Sequence, residues 1–148
     1  MEKTNSTQTN SNQPALIKPT IEQINDAFFF LEDTFERALM PWVTLKETAR
    51  AVINDDPTLM EDGIDVGVWE NDMTQYGKMV LEMVLGSYKP TGMPRVWKFD
   101  YKGIPITIRV IYRSYPFFAH YDKKLYYFEY IAIPNPFQDY WKQKDLVV

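Results

Sequence analysis

One short segment, residues 63–68, holds the residue types and the spacing that are best suited to chemistry. Its apolar residues alternate with Gly63, Asp65 and Gly67. Because successive side chains of a strand point to opposite faces, this pattern predicts a strand with one apolar face and one nearly bare face that carries a carboxylate. Asp65 is then either a metal ligand or a solvated surface residue, and the pattern alone leaves both interpretations open.

A second segment, residues 104–112, predicts another strand with a polar face. Isoleucine and valine at alternate positions share one side, which directs Pro105, Thr107 and Arg109 to the other. The guanidinium of Arg109 could bind a phosphate through two hydrogen bonds, or it could form a surface ion pair. Because the apolar residues of both strands must point to one core, we expect this polar face and the bare face of residues 63–68 to converge on one side of adjacent strands.

Helical periodicity surrounds these strands in the N-terminal half of the chain. Thr20 is the expected N-cap of a first helix that runs to about Met40 and is ended by Pro41. The segment 42–45 predicts a short strand, and residues 47–54 predict a second helix.

A third helix follows the segment that carries Asp65. Asn71 or Asp72 is its expected N-cap, and Gly86 is placed to end it. The apolar stripe between Met73 and Val84 is expected to lie in the core.

The C-terminal half of the chain is richer in strand patterns. Residues 96–100 and 104–112 predict a hairpin, and an aromatic-rich strand is expected over 125–133. A short terminal helix is expected to contain Tyr140 and Trp141.

Length and composition predict one folded unit. The chain has 148 residues, too few for two independent cores. Residues 1–19 are rich in Ser, Thr, Asn and Gln and predict a polar flexible tail. Residues 20–148 predict a single α+β domain, with a small mixed β-sheet flanked by helices.

Charge and residue counts exclude several functions. The net charge of -4 provides no basic field, so duplex DNA is not an expected partner. The absence of cysteine excludes disulfides and thiolate zinc sites, and His120 is the only histidine. No apolar run approaches the roughly 18 residues that cross a bilayer, so no membrane partner is expected. We expect a cytoplasmic protein, or one assembled into a particle after cytoplasmic synthesis.

The order of elements resembles the polymerase-beta-like nucleotidyltransferase superfamily, particularly the group that contains the LicD-type phosphocholine transferases. Four segments carry the resemblance: 42–49, 62–68, 103–108 and 133–140. The resemblance implies a nucleotidyltransferase-like fold over most of the chain beyond Ile21.

The resemblance also implies a site. In the family, the turn after the first strand holds nucleotide phosphates, so Lys46 and Thr48 are the implied nucleotide-binding residues, together with Arg109. An exposed helix start is an equally good explanation of Lys46.

The family's carboxylates hold two divalent cations that bridge phosphates. Carried over position by position, these carboxylates fall on Gly63, Asp65 and Thr107, so only Asp65 remains as catalytic carboxylate and metal ligand. The implied cofactor is Mg²⁺, which a single aspartate holds weakly.

Two functions follow from this sequence. The first is a nucleotidyltransferase-like protein with weakened or lost catalysis, which binds a nucleotide or a phosphorylated ligand. The alternative is a non-enzymatic interaction or assembly protein, for example of a virion or complex, with a protein partner or a second copy as its ligand. The polar tail and the tyrosine-rich C-terminal half favour this alternative.

Overall fold

The computed structural model describes residues 19–60, 62–114, 118–121, 124–127 and 131–132. The helices in these ranges are α1 (Ile21–Arg37), α2 (Lys46–Asn54) and α3 (Gln75–Leu85). The strands are β1 (Trp42–Leu45), β2 (Ile64–Trp69), β3 (Val96–Tyr101), β4 (Ile104–Ser114), β5 (Phe118–Tyr121), β6 (Lys124–Tyr127) and β7 (Ile131–Ala132). The predicted terminal helix lies outside the described residues, as does nearly all of the predicted polar tail.

The strands form one mixed sheet in the order β6-β5-β4-β2-β1-β7, with β3 also paired to β4. The central pair, β2 and β4, is parallel, and the other pairs are antiparallel. The chain passes through α3 and β3 between the two parallel strands, the long crossover that a parallel pair requires. The expected α+β architecture with a small mixed sheet is therefore confirmed.

The main core lies between one face of the sheet and the helices α1 and α3. Residue alternation on β2 and β4 supplies the sheet side of this core, as expected from the sequence. The apolar stripe of α1 supplies the helix side. The largest residues of this core with completely buried side chains are Phe28, Phe35, Leu31, Leu81, Leu85, Ile106, Ile108 and Val66.

A second, smaller apolar cluster covers part of the opposite face of the sheet. It is built from Val43, Leu45, Ile111 and Ala119. Gly67 lies beneath it, because a Cβ on Gly67 would meet Leu45 and Ile111 at 3.0 and 3.1 Å. The face that carries Asp65 is therefore partly covered, although the sequence pattern predicted it to be nearly bare.

The turn between β3 and β4 explains their register. Lys102 and Gly103 both have positive φ, 49° and 92°, as a two-residue type I′ turn requires. The carboxylate of Asp100 accepts a hydrogen bond of 2.9 Å from the Gly103 N–H. The hairpin expected from the sequence is confirmed.

Two details of α3 differ from expectation. Its N-cap is Thr74, whose hydroxyl accepts a hydrogen bond of 2.9 Å from the Gly77 N–H, whereas Asn71 and Asp72 lie in a preceding 3₁₀ turn. Its predicted core stripe is also wrong in part, because Tyr76, Met79 and Met83 are exposed. The buried side of α3 contains Val80, Leu81 and Leu85.

The strand expected at 125–133 is divided in the structure. β6 begins at Lys124 and pairs with β5, whereas β7 pairs with β1 at the other end of the sheet. The aromatic content of this segment predicted extended structure but carried no information on which partner each part would choose. No helix among the described residues has the length and apolar character needed to cross a membrane.

Candidate functional site

Lys46 is the first residue of α2 and directly follows the end of β1. Lys46 has a φ of 53°, a left-handed backbone conformation that favours glycine. Leu45, at the N-cap, has no polar side chain to accept hydrogen bonds from the first N–H groups of α2. The Nζ atom of Lys46 lies 4.0 Å from Oδ2 of Asp65.

Asp65 and Arg109 form a two-pronged ion pair between adjacent strands. Nε of Arg109 donates to Oδ1 of Asp65 at 2.9 Å, and Nη2 donates to Oδ2 at 3.1 Å. The two side chains are only 19% and 10% exposed. Neither the solvated carboxylate nor the surface ion pair considered from the sequence describes them, because this pair is largely removed from solvent.

The register of β2 and β4 creates this pair. Asp65 lies opposite Thr107, and Gly67 lies opposite Arg109. Arg109 therefore reaches diagonally along the strands to Asp65. The expected convergence of the two polar faces on adjacent strands is confirmed for Asp65, Thr107 and Arg109.

Thr48 touches the same residue from the helix side. Its hydroxyl accepts a hydrogen bond of 2.8 Å from the backbone N–H of Asp65. Thr48 is buried, so its observed role is to tie the first turn of α2 to β2. All four residues that the sequence singled out, Lys46, Thr48, Asp65 and Arg109, thus meet around Asp65.

The two other positions that the resemblance equates with carboxylates, Gly63 and Thr107, do not supply them. Thr107 is neutral and half-buried beside Asp65. Gly63 has a φ of 103°, and a Cβ at this position would overlap the carbonyl oxygen of Pro105. A side chain at Gly63 would therefore need the backbone to move, whatever its chemistry.

The residues present do not fit a two-metal centre. Both oxygens of Asp65 accept hydrogen bonds from Arg109, so a cation would share this carboxylate with a guanidinium whose positive charge repels it. Among the described residues, no three Asp, Glu, His or Cys side chains are grouped as a metal site would need. Of the three positions that the resemblance assigns to metal ligands, only Asp65 has a carboxylate.

A pocket of about 280 Å³ opens beside Asp65, between the start of α2 and the N-terminal end of β2. Its charged residues include Asp62, which the sequence analysis did not assign to the site, and Glu47. Glu47 accepts hydrogen bonds of 3.1 and 3.2 Å from Arg50. The pocket is lined by Lys46, Glu47, Thr48, Asp62, Gly63, Ile64, Asp65 and Thr107.

Lys98 is a further cation on this side of the sheet that sequence patterns did not reveal. It lies on β3 opposite Thr107, which in turn lies opposite Asp65. Register partners share a face, so one row across three strands contains Asp65, Thr107 and Lys98. Only the pairing of β3 with β4 brings Lys98 there, and a sequence pattern within β3 could not show it.

His120, the single histidine, lies away from this site. Its ring stacks on Tyr112 with centroids 4.6 Å apart and planes inclined by 13°. It pairs with Tyr112 across β4 and β5.

Comparison of the chain with protein-family models, with curated proteins and with solved structures finds no match.

Proposed function

We propose that this protein is a nucleotidyltransferase-like domain that binds a nucleotide or another phosphorylated ligand in the Asp65 pocket and has lost two-metal transfer chemistry. The observation that carries the proposal is the geometry of Lys46. A lysine stands in a left-handed turn between a strand and a helix, and its ammonium group is 4.0 Å from Asp65 beside the pocket. In the resembling family, a glycine-containing turn at this place holds phosphates.

Three features support a phosphorylated ligand. Lys46 lines the pocket, Lys98 lies on the same side of the sheet, and the first turn of α2 adjoins the pocket with no polar N-cap side chain. Helix N-termini and cations favour phosphate oxygens. Arg109 neutralises Asp65, so the central carboxylate of the site repels an incoming phosphate less than an unpaired one would.

The same contacts argue against transfer chemistry. A nucleotidyltransferase needs carboxylates that hold divalent cations at the reacting phosphates. Here, the remaining carboxylate, Asp65, is bound by Arg109. A guanidinium supplies positive charge, but unlike a metal ion it offers no coordination position for an attacking group. We therefore propose binding without turnover, with any Mg²⁺ carried by the ligand phosphates. We also propose the cytoplasm, or a particle assembled there, as its location.

The test is calorimetric titration with the four common ribonucleoside triphosphates, in Mg²⁺ and in EDTA. We expect weak binding that persists in EDTA, and a loss of about tenfold in affinity for Lys46→Met. Asp62→Asn should tighten binding by about twofold to threefold, because it removes a pocket carboxylate that repels phosphate. Lys124→Met, on the distant strand β6, is the matched control.

The sign of the Asp62 effect decides between an anion site and a cation site. If Asp62→Asn weakens binding and EDTA abolishes it, the pocket holds a metal and the proposal is wrong. No heat of binding at millimolar ligand would also exclude it, and would leave the non-enzymatic interaction protein as the better hypothesis.

A further inference from the structure

The outer face of α3 is apolar although it is exposed. Tyr76, Met79 and Met83 are 51%, 54% and 70% exposed, and they lie on one side of the helix at spacings of three and four residues. Lys78 and Glu82 lie next to them on the same exposed arc. We call these five residues the α3 face.

We propose that the α3 face is the contact surface for a second copy of this chain, packed antiparallel across a two-fold axis near Met79. The inference does not depend on the Asp65 pocket, which is built from β2, β4 and the start of α2.

The arrangement of charges selects this partner and this orientation. On α3, the charged residues lie on one flank of Met79, and Tyr76 and Met83 lie on the other. A two-fold axis perpendicular to both helices places like flanks together and reverses their direction. Lys78 then meets Glu82 of the second copy, and Tyr76 meets Met83.

The midpoint of Tyr76 and Met83 and the midpoint of Lys78 and Glu82 both lie close to residue 80 of the helix. A single two-fold axis therefore brings the charged residues of the two copies together and, at the same time, the apolar residues of the two copies. A parallel dimer would instead place the charged flank of each helix against the apolar flank of its partner. The self-complementarity is thus specific to the antiparallel arrangement.

Lys78 and Glu82 are available for such a contact. No ion pair is found for either one within the part of the chain that the structure describes, although they are four residues apart on the helix.

The size of the face indicates a weak dimer. α3 has 11 residues, about 16 Å at 1.5 Å per residue. This length covers less than the roughly 800 Å² per partner of a stable interface. We expect a dissociation constant on the order of ten micromolar.

Charge exchange tests the proposal by sedimentation equilibrium from about 1 µM to about 1 mM. Lys78→Glu and Glu82→Lys should each weaken the homodimer by at least about tenfold, because each places like charges together. The double variant should return to within about twofold of the original affinity. An equimolar mixture of the two single variants should form a heterodimer. Lys124→Glu, on β6, is the control for a change of net charge.

A single cysteine gives a second, structural readout. The chain has no cysteine, so Met79→Cys introduces one thiol near the proposed axis. Oxidation should link two copies of this variant, and should not link Lys124→Cys under the same conditions. A wild-type chain that stays monomeric at about 1 mM would overturn the proposal. A double charge variant as weak as the single variants, or equal cross-linking at both cysteines, would overturn it as well.

Discussion

Arg109 holds both carboxylate oxygens of Asp65 across two parallel strands, at 2.9 and 3.1 Å. The pair lies beside a pocket, yet its groups are only 10% and 19% exposed. Each oxygen of this aspartate accepts one hydrogen bond from the guanidinium. The pair therefore links β2 to β4 and places a positive charge where a metal ion would have to bind.

The first prediction concerns the energy of this pair. Arg109→Met should lower the free energy of unfolding by about 2 to 3 kcal/mol, because it leaves a largely buried carboxylate without its guanidinium. Asp65→Asn should also destabilise the fold. The double variant should be more stable than the sum of the two losses predicts, since no unpaired charge remains.

Urea unfolding of the four proteins gives this coupling. A coupling below about 0.5 kcal/mol would show that the two groups act independently and that the pair is an ordinary solvated contact. A coupling of about 1 kcal/mol or more would support the pairing.

The second prediction concerns three glycines. It separates the cost of a clash at an added Cβ from the cost of a positive φ. Gly63→Ala should destabilise the fold by about 3 kcal/mol, because Gly63 has positive φ and its Cβ would overlap the carbonyl of Pro105. Gly103→Ala should cost about 1 kcal/mol, because φ is positive but the space is open. Gly86→Ala should be neutral or stabilising by up to about 1 kcal/mol, because its φ is -57° and nothing lies near.

The melting temperatures of these three variants rank their changes in stability. Equal losses at Gly63 and Gly103 would show that the Pro105 contact is not tight. The same contact means that a carboxylate cannot be added at position 63 without a shift of the backbone.

The parts of the fold that follow from local patterns could be predicted. Alternation on β2 and β4, the N-cap at Thr20 and the hairpin of residues 96–100 and 104–112 each have a short-range cause, and the structure confirms them. The exposed side of α3 could not be predicted in the same way. A helix that is apolar over most of its surface does not indicate which side faces the core.

The residues of the candidate site could be predicted from the sequence, but the contacts between them could not. Strand parity placed Asp65 and Arg109 on one face, and the structure confirms this. Their direct pairing depends on a parallel register between segments 44 residues apart in sequence. This register is not encoded by the pattern of one segment. Lys98 was missed for the same reason, because it reaches the site through the pairing of β3 with β4.

The third prediction concerns alkaline pH. The hydroxyl of Tyr101 donates to Asp26 at 3.1 Å. Burial, and then the bond to Asp26, raise the pKa of Tyr101 above its ordinary value of 10.0. The folded protein therefore keeps this proton at a pH where the unfolded chain loses it. The resulting stability is present below about pH 10 and is lost as pH rises through the raised pKa.

Urea unfolding between about pH 9 and about pH 11 measures this effect. Tyr101→Phe should reduce the loss of stability over that range, although it removes one hydrogen bond at neutral pH. Some loss should remain, because the pKa of Lys102 is also raised, first by its hydrogen bond to Asp26. An unchanged slope in Tyr101→Phe would contradict the assignment.

The last prediction concerns a buried amide in α1. Asn25 is 2% exposed, and neither its Nδ2 nor its Oδ1 atom has a hydrogen-bond partner within the described part of the chain. A buried amide that forms no hydrogen bond loses its interactions with water and gains nothing in return. Asn25→Leu, which keeps the number of side-chain heavy atoms and the branch at Cγ, should therefore raise the free energy of unfolding by about 1 to 2 kcal/mol.

Thr34→Val on the same helix is the matched control, measured with Asn25→Leu by urea unfolding. Thr34 is equally buried, but its hydroxyl donates a hydrogen bond of 2.7 Å to the Phe30 carbonyl. This substitution should lower the free energy of unfolding by about 0.5 to 1 kcal/mol, because it removes a hydrogen bond that is made. The two variants should thus change stability in opposite directions. A loss of stability in Asn25→Leu together with a loss in Asn25→Ala, which cannot overpack the core, would contradict the prediction.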